Sequence, residues 1–280
     1  MNRGVDLVAR NRWLICRRLV QLGVLALFLA GPARGLWWVK GTLAASTWFE
    51  TILLVDPFVL LQSLAAGHVP GWIAVWGALM VLVVYLLLGG RAYCAWLCPV
   101  NMVTDTAAWL RAVLGISAGR GWPANLRRWM LIMSLCVSAL IGTTAWEQVN
   151  PVTILQRLLL FGMGMAWLVV LAVFLFDLLV SPRGWCGHIC PVGAFYGLLG
   201  RASLLRVVAA RPDACTNCGA CFRSCPEPQV ISPALKARSR SAAVILSGDC
   251  TNCGRCIDVC AARVFQFGSR FDRRLRPQRD

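Results

Sequence analysis

The chain has 280 residues, 58% of them hydrophobic and 14% charged, with 28 lysines and arginines against 12 acidic residues and a net charge of +16. So apolar a balance excludes an ordinary soluble globular domain and reads as a membrane protein. A basic excess suits nucleic acid, an anionic membrane face or an acidic partner; the arginines form no single stripe, so the membrane is expected and nucleic acid is not.

The first apolar run covers residues 19–32 (LVQLGVLALFLAGP), extending toward Val39 past Arg34. It is short and follows Arg17 and Arg18, as a signal peptide would, but ordinary positive-inside anchoring accounts for the same pattern. The second run is residues 71–88, the third 129–146 and the fourth 161–180. Each is a candidate transmembrane helix. Arg3, Arg10, Arg12, Arg17 and Arg18 precede the first run, and Arg91, Arg111, Arg120, Arg127 and Arg128 separate the second from the third. Only Arg34 and Lys40, and then only Arg157, lie in the two other hairpins. The positive-inside rule therefore expects both termini in the cytoplasm and the two charge-poor hairpins outside.

An internal repeat supports four spans. VDPFVLLQSL (55–64) aligns with VNPVTILQRL (149–158), and each is followed at similar distance by C-x3-C-P, in YCAWLCPV (93–100) and WCGHICPV (185–192). Two spans per unit preserve direction, which expects a parallel repeat about an axis near the membrane normal. Asp56-Pro57 and Asn150-Pro151 would each open a short outer helix with Gln62 or Gln156 on one face, as caps or as quinone contacts.

Cys94, Cys98, Cys186 and Cys190 fall at the cytoplasmic edge by this topology. Proline disfavours helix for the residue before it and suits a first helical turn, so each motif reads as a loop entering a helix N-terminus. There the amide dipoles lower the thiol pKa and suit thiolates or bound anions. Three readings stay open: a shared thiolate-bound cofactor, a redox-active thiol/disulfide pair, or small buried residues at a turn. Asp177, inside FLFDLLV, is a proton-relay candidate or an interfacial snorkelling carboxylate, with Tyr85 at the equivalent place in the first copy.

There are fourteen cysteines and two histidines. In a long membrane chain, clustered C-x2-C spacing points to metal rather than disulfides. No C-x-x-C-H occurs, and His68 and His188 are expected on opposite faces, so no haem is expected. From about Arg206 the apolar runs stop, which divides the chain into a membrane domain (1–205) and a small C-terminal domain (206–280). A segment that small needs a metal staple.

Here lie CTNCGACFRSCP and CTNCGRCIDVC, both C-x2-C-x2-C-x3-C. In that spacing three thiolates wrap one cubane and the fourth reaches the other. One [4Fe–4S] cluster is expected on Cys215, Cys218, Cys221 and Cys260, the second on Cys250, Cys253, Cys256 and Cys225. Ala261 stands where the first copy has Pro226. A zinc reading needs only four thiolates per tetrahedral site and leaves the third spaced pair unexplained. The segment is similar to the two-cluster bacterial ferredoxins, with an arginine-rich surface where diffusing ferredoxins are mostly acidic. That surface suits anionic lipid headgroups.

The chain as a whole resembles the NapH family. The resemblance is carried by DPFVLLQSLAAGHVP (56–70), CAWLCPVN (94–101), VNPVTILQR (149–157), LFDLLVSPRGWCGHICPVGAFYGLLG (175–200), CFRSCPEPQV (221–230) and DCTNCGRCIDVC (249–260). It covers about residues 13–265. It implies an α-helical polytopic protein of the bacterial inner membrane with a small α+β two-cluster ferredoxin-like domain. By the same resemblance the chain is the ferredoxin-type component of a quinol dehydrogenase serving periplasmic nitrate reductase. Quinol is then the substrate, and a periplasmic ferredoxin-type protein of the NapG kind is a partner. A membrane-anchored multihaem cytochrome and a cytoplasmic ferredoxin-type protein are further implied partners. A methylamine-utilisation paralogue has the same architecture, and an assembly or docking protein that senses redox state is the alternative class.

Overall fold

The computed structural model describes residues 11–116, 122–123, 125–162, 164–165, 167–236 and 244–271. Arg3, Arg10 and Arg120 of the charge pattern lie outside them. The chain divides into two compact units, one of Gln21–Val84 with Cys98–Phe195, the other of Tyr85–Leu97 with residues up to Val20 and from Tyr196 onward. The unit that holds the ferredoxin-like segment thus includes Cys94 of the first cysteine loop but not Cys98.

Among the described residues α1 (Arg12–Arg34, 23 residues) alone is long and apolar enough to cross a membrane, by length and composition. The second apolar run forms α3 (Trp72–Leu88, 17 residues) and the third forms α6 (Leu126–Ile141, 16 residues). Gly142, left-handed at φ 72°, ends α6 before the expected limit at Trp146. The fourth run forms α9 (Trp167–Leu175), which widens into a π-helical turn at Phe176–Val180 closed by Ser181 N–H donating to Phe176 O at 3.3 Å. A single π turn marks an inserted residue and recurs at functional sites.

In the first unit the segment after α1 folds into an antiparallel meander: β1 (Val39–Gly41), β2 (Ala45–Trp48) and β3 (Ile52–Val55), with Val39 opposite Trp48 and Ser46 opposite Leu54. The sequence reading assigned no strands here, because runs of three or four residues give too little alternation to register. Gly41 turns the corner at φ 104°, where a Cβ would sit 2.4 Å from Ala45 O.

The repeat shows as two helices of one design. In α2 (Pro57–Ala65) Asp56 Oδ1 accepts from Phe58 N–H at 2.8 Å, and Pro57 fills the first turn, where its missing donor costs nothing. After the short α7 (Ala145–Val149), α8 (Pro151–Phe161) starts the same way, with Asn150 Oδ1 accepting from Val152 N–H at 3.1 Å. Gln62 and Gln156 are both buried. Gln62 Oε1 accepts from Trp146 N–H at 3.0 Å and Gln156 Oε1 from Leu43 N–H at 2.8 Å. Each repeat thus satisfies a backbone donor of the other repeat's hairpin. The remaining helices of this unit are α5 (Val100–Val113) and the start of α10 (Pro191–Gly200).

In the second unit β4 (Leu205–Ala209) pairs antiparallel with β5 (Phe265–Ser269), with Val207 opposite Phe267. Short helices α11 (Ala220–Ser224), α12 (Ile231–Lys236) and α13 (Arg255–Asp258) cover a core of Val207, Ala209, Ile231, Ile245, Val264 and Phe265. The loop from Tyr85 to Leu97, with its helix α4 (Ala92–Trp96), packs in this unit. The chain's three tyrosines gather there: Tyr93 and Tyr196 stack at 5.1 Å between ring centroids, and Tyr85 meets them edge-on at 5.9 and 5.0 Å. Gly90 makes this approach possible, since a Cβ on it would lie 2.1 Å from Tyr196 O and 2.3 Å from Gly200 N.

Candidate iron–sulfur sites and cysteine loops

The two CTNCG stretches shape their loops in the same way. Asn217 and Asn252 take left-handed φ of 56° and 49°, and Gly219 and Gly254 follow at 71° and 75° as N-caps of α11 and α13. Asparagine and glycine are the residues that tolerate this region. Two left-handed positions in one loop curl the backbone, and the first three cysteines of each motif line one cavity. The structure brings Cys215, Cys218, Cys221 and Cys260 to the wall of one cavity. Cys225, Cys250, Cys253 and Cys256 line a second. Each cavity takes three cysteines from one stretch and its fourth from the other.

The remaining lining fits a bulky inorganic group. Phe222, Leu235, Val264 and Phe265 border the first cavity, and Val207, Val230, Ile231 and Ile245 the second. Among the described residues no three His, Cys, Asp or Glu side chains are close enough for one metal ion.

Burial pushes Cys225 up to about 12 and Cys250 to about 11, and raises Cys256 well above the ordinary thiol value. Burial works against the Cys253 thiolate too, but Arg255 and Arg17 outweigh it and hold that thiol low. Without iron most of these sulfurs would keep their protons, so loading the cavity must release them. In the first cavity Cys218 is exposed and is pulled down by the Ala220 N–H.

The cage around Cys250 is tied to residues 88–96 by polar contacts within the same unit. Asn252 Nδ2 donates to Leu88 O at 3.1 Å and Leu205 O at 2.9 Å, and Trp96 Nε1 donates to Asn252 O at 3.1 Å. Arg91, 2% exposed, pairs with Glu227 at 2.7 Å and donates to Asp249 O at 2.8 Å. Burial opposes the charge of its guanidinium, but the Glu227 carboxylate outweighs that and holds it charged. None of these ties carries a motif.

The two C-x3-C-P loops differ in detail. Cys94 lies in α4 and belongs to the unit of the cavities, half-buried. Cys98 is buried in the other unit, where its carbonyl accepts from Gln21 Nε2 at 3.3 Å. In the second copy Cys186 and His188 sit on a π-helical turn, Trp185–Ile189, and Cys190 is extended at ψ 113° before Pro191 opens α10. The first copy, by contrast, turns as a short α-helix, and Pro99 caps α5. Asp177 is fully buried, and its Oδ1 accepts from Trp185 N–H at 2.9 Å. It is therefore no snorkelling carboxylate: it anchors the start of the turn that carries Cys186. Arg111, buried nearby, donates to Leu178 O at 2.5 Å. His68 is exposed, with Nε2 3.0 Å from Gly142 O.

Comparison with known proteins bears on both regions. A family described as a 4Fe-4S binding domain matches twice, over residues 69–117 and 163–208, once across each C-x3-C-P loop. A 4Fe-4S dicluster domain matches residues 207–261. The methylamine utilization ferredoxin-type protein MauN of Methylorubrum extorquens is 54% identical over 264 residues, 94% of this chain and 91% of that protein. The MauN of Paracoccus denitrificans is 52% identical over 270 residues, covering 96% and 93%. The ferredoxin-type protein NapH of Escherichia coli is 45% identical over 262 residues, covering 93% and 91%. No solved structure matches the chain. With iron–sulfur domains matched along its length and relatives of this identity across nearly all of it, the chain belongs to the NapH and MauN family of ferredoxin-type iron–sulfur proteins.

Proposed function

We propose that the chain is the membrane-bound electron-transfer component of a quinol dehydrogenase, with two [4Fe–4S] clusters held by Cys215, Cys218, Cys221, Cys260 and by Cys250, Cys253, Cys256, Cys225. The observation that carries the reading is the pair of cavities, each walled by four cysteines with the fourth exchanged. A cluster bound there supplies one-electron storage. The chain's own part is to hold the sulfurs, keep water from the inner cage and set the charge around it.

Membrane residence is supported by α1 and by the sides of α3. Trp72, Ile73, Trp76, Met80 and Val83 are all exposed, Trp72 by 72%. An apolar surface of that extent suits lipid. The reading keeps four spans in a parallel repeat and both termini in the cytoplasm, and it leaves 206–280 as the cluster-bearing domain. Reporter fusions after residue 113 and at the C-terminus, both scoring cytoplasmic, test the topology; an outward signal from either overturns it.

On this reading Cys94, Cys98, Cys186 and Cys190 form the bridge between lipid-soluble quinol and the C-terminal cysteines, by a further cofactor or by thiol/disulfide exchange. Electrons then leave toward a periplasmic ferredoxin-type partner. The relatives named for methylamine utilization are nearer in identity, 54% and 52% against 45%, so methylamine oxidation is the second candidate for the pathway served. The non-catalytic docking reading is separated by one assay. The purified chain in liposomes is given a quinol analogue, and the clusters are followed by EPR with iron quantitation. Reduction in wild type and its loss in the C94S/C98S/C186S/C190S variant, with C-terminal cluster signals intact, supports the proposal. No reduction in wild type, or wild-type reduction by the variant, overturns it.

A further inference from the structure

Arg206 lies on β4 and is 1% exposed. Its hydrogen bonds all go to main-chain carbonyls: Nε to Ser203 O at 3.3 Å, Nη1 to Ser247 O at 3.2 Å, and Nη2 to Gly200 O. Neighbouring buried arginines have acidic company. Arg91 is paired with Glu227, and Arg17 lies in the field of Asp258. Among the described residues Arg206 has no carboxylate partner, and the charged side chain nearest in effect besides cysteine is another cation, Arg270. A buried cation without a compensating anion is costly enough that proteins rarely keep one.

The compensating charge can be traced through one carbonyl. Ser247 O accepts from Arg206 Nη1 at 3.2 Å and also from Cys250 N–H at 3.3 Å. The guanidinium and the backbone of Cys250 thus share an acceptor, and Val207, the residue after Arg206, lines the same cavity as Cys250. Burial pulls the Arg206 guanidinium down from its ordinary value, and the Cys250 thiolate works against that pull. Among the described residues no buried cation acts on the other cavity in the same way. Its neighbouring cation with a resolved effect, Arg223, is exposed, with Nη1 3.4 Å from Cys218 O. A charge in water is screened, and a buried one is not.

We infer that Arg206, beside Arg17, Arg91 and Arg255, is a resident counter-charge of the cluster held by Cys225, Cys250, Cys253 and Cys256, itself without a carboxylate partner among the described residues, and that it raises that cluster's reduction potential. The inference rests on the proposed ligand assignment. Four thiolates around a cubane leave net negative charge, and accepting an electron adds to it. A fixed buried cation therefore favours the reduced state. Arg206 is a positioning and tuning residue and takes no part in bond making.

The test is an EPR-monitored redox titration of the full chain in detergent, with iron counted. Cys250→Ser first assigns the signals. If it alters neither cluster signal, the ligand assignment fails, and with it the inference. Given an assigned signal, Arg206→Gln is expected to make that cluster at least tenfold harder to reduce, about 59 mV lower for one electron, and to leave the other cluster in place. Arg206→Lys, which keeps the charge, is expected to stay near wild type. Equal movement of both clusters, no movement, or a lysine variant shifted as far as the glutamine variant overturns the inference. If Arg206→Gln holds less iron, the lysine variant decides: full iron at wild-type potential supports a charge role, and iron lost from both overturns it.

Discussion

Removing Arg91 should loosen the inner cage far more than removing it together with its partner. Arg91 and Glu227 are 2% and 7% exposed, with 2.7 Å between Nη1 and Oε1. Arg91→Met leaves Glu227 charged and buried beside Cys225, and it also frees Asp249 O from a 2.8 Å donor. Breaking one side of such a pair costs about 3–5 kcal/mol, whereas exchanging both sides for apolar groups is often close to neutral. At about 1.4 kcal/mol per decade, the single change should raise the opening equilibrium of this unit by roughly two to three and a half orders of magnitude. The assay is extraction of iron by a chelator, followed by visible absorbance, since extraction tracks local opening when reclosing is fast. Arg91→Met should lose iron faster by about that factor, and Arg91→Met/Glu227→Met should recover most of the difference. A single variant as resistant as wild type would show that the pair holds nothing. A double variant no better than the single would show that burial of charge is not the cause.

The other expectations concern the membrane part and the loops. Gln62→Leu should cost about 1–3 kcal/mol, because it leaves the buried Trp146 N–H without an acceptor, and Gln156→Leu should cost less, because the Leu43 N–H it deprives is only part-buried. Both should lower the unfolding midpoint in detergent, and an unchanged midpoint in the Gln62 variant would remove its bridging role. Asp177→Leu should expose Cys186 to alkylation in intact membranes, while Asp177→Asn, which keeps an oxygen for Trp185 N–H, should label like wild type. Equal labelling of all three would remove the anchoring role. Gly90→Ala should abolish accumulation of folded protein, since its Cβ meets backbone at 2.1 Å; normal yield with full iron would refute the close packing.

Spacing alone sorts the eight C-terminal cysteines into the two groups found around the cavities, because C-x2-C-x2-C-x3-C is a local geometric instruction. The Asp56 and Asn150 caps were equally legible, since proline and a short polar side chain act on the next two residues. What the sequence hid is long-range. Arg206 reads as one more basic residue past the last apolar run, yet it is buried, and only the fold shows that Ser247, 41 positions on, faces it. Asn252 reads as a loop polar residue, but its side chain reaches 164 positions back to Leu88. The strands between Val39 and Val55 were hidden for the opposite reason: each is too short to show a period. Asp177 was visible as an anomaly in an apolar run. Its partner could not be, because a π turn breaks the periodicity that would have placed Trp185.

The exchanged fourth cysteine also sets a timetable. Neither cavity can be walled by four sulfurs until the chain has been made through its last cysteines, since Cys260 completes the first and Cys250, Cys253 and Cys256 supply most of the second. During synthesis the whole apolar part has already emerged while every ferredoxin cysteine is still in an incomplete set. On the proposed ligand assignment iron delivery therefore comes last, to a protein whose apolar part already exists, and the machinery that delivers it works where the nascent C-terminus waits.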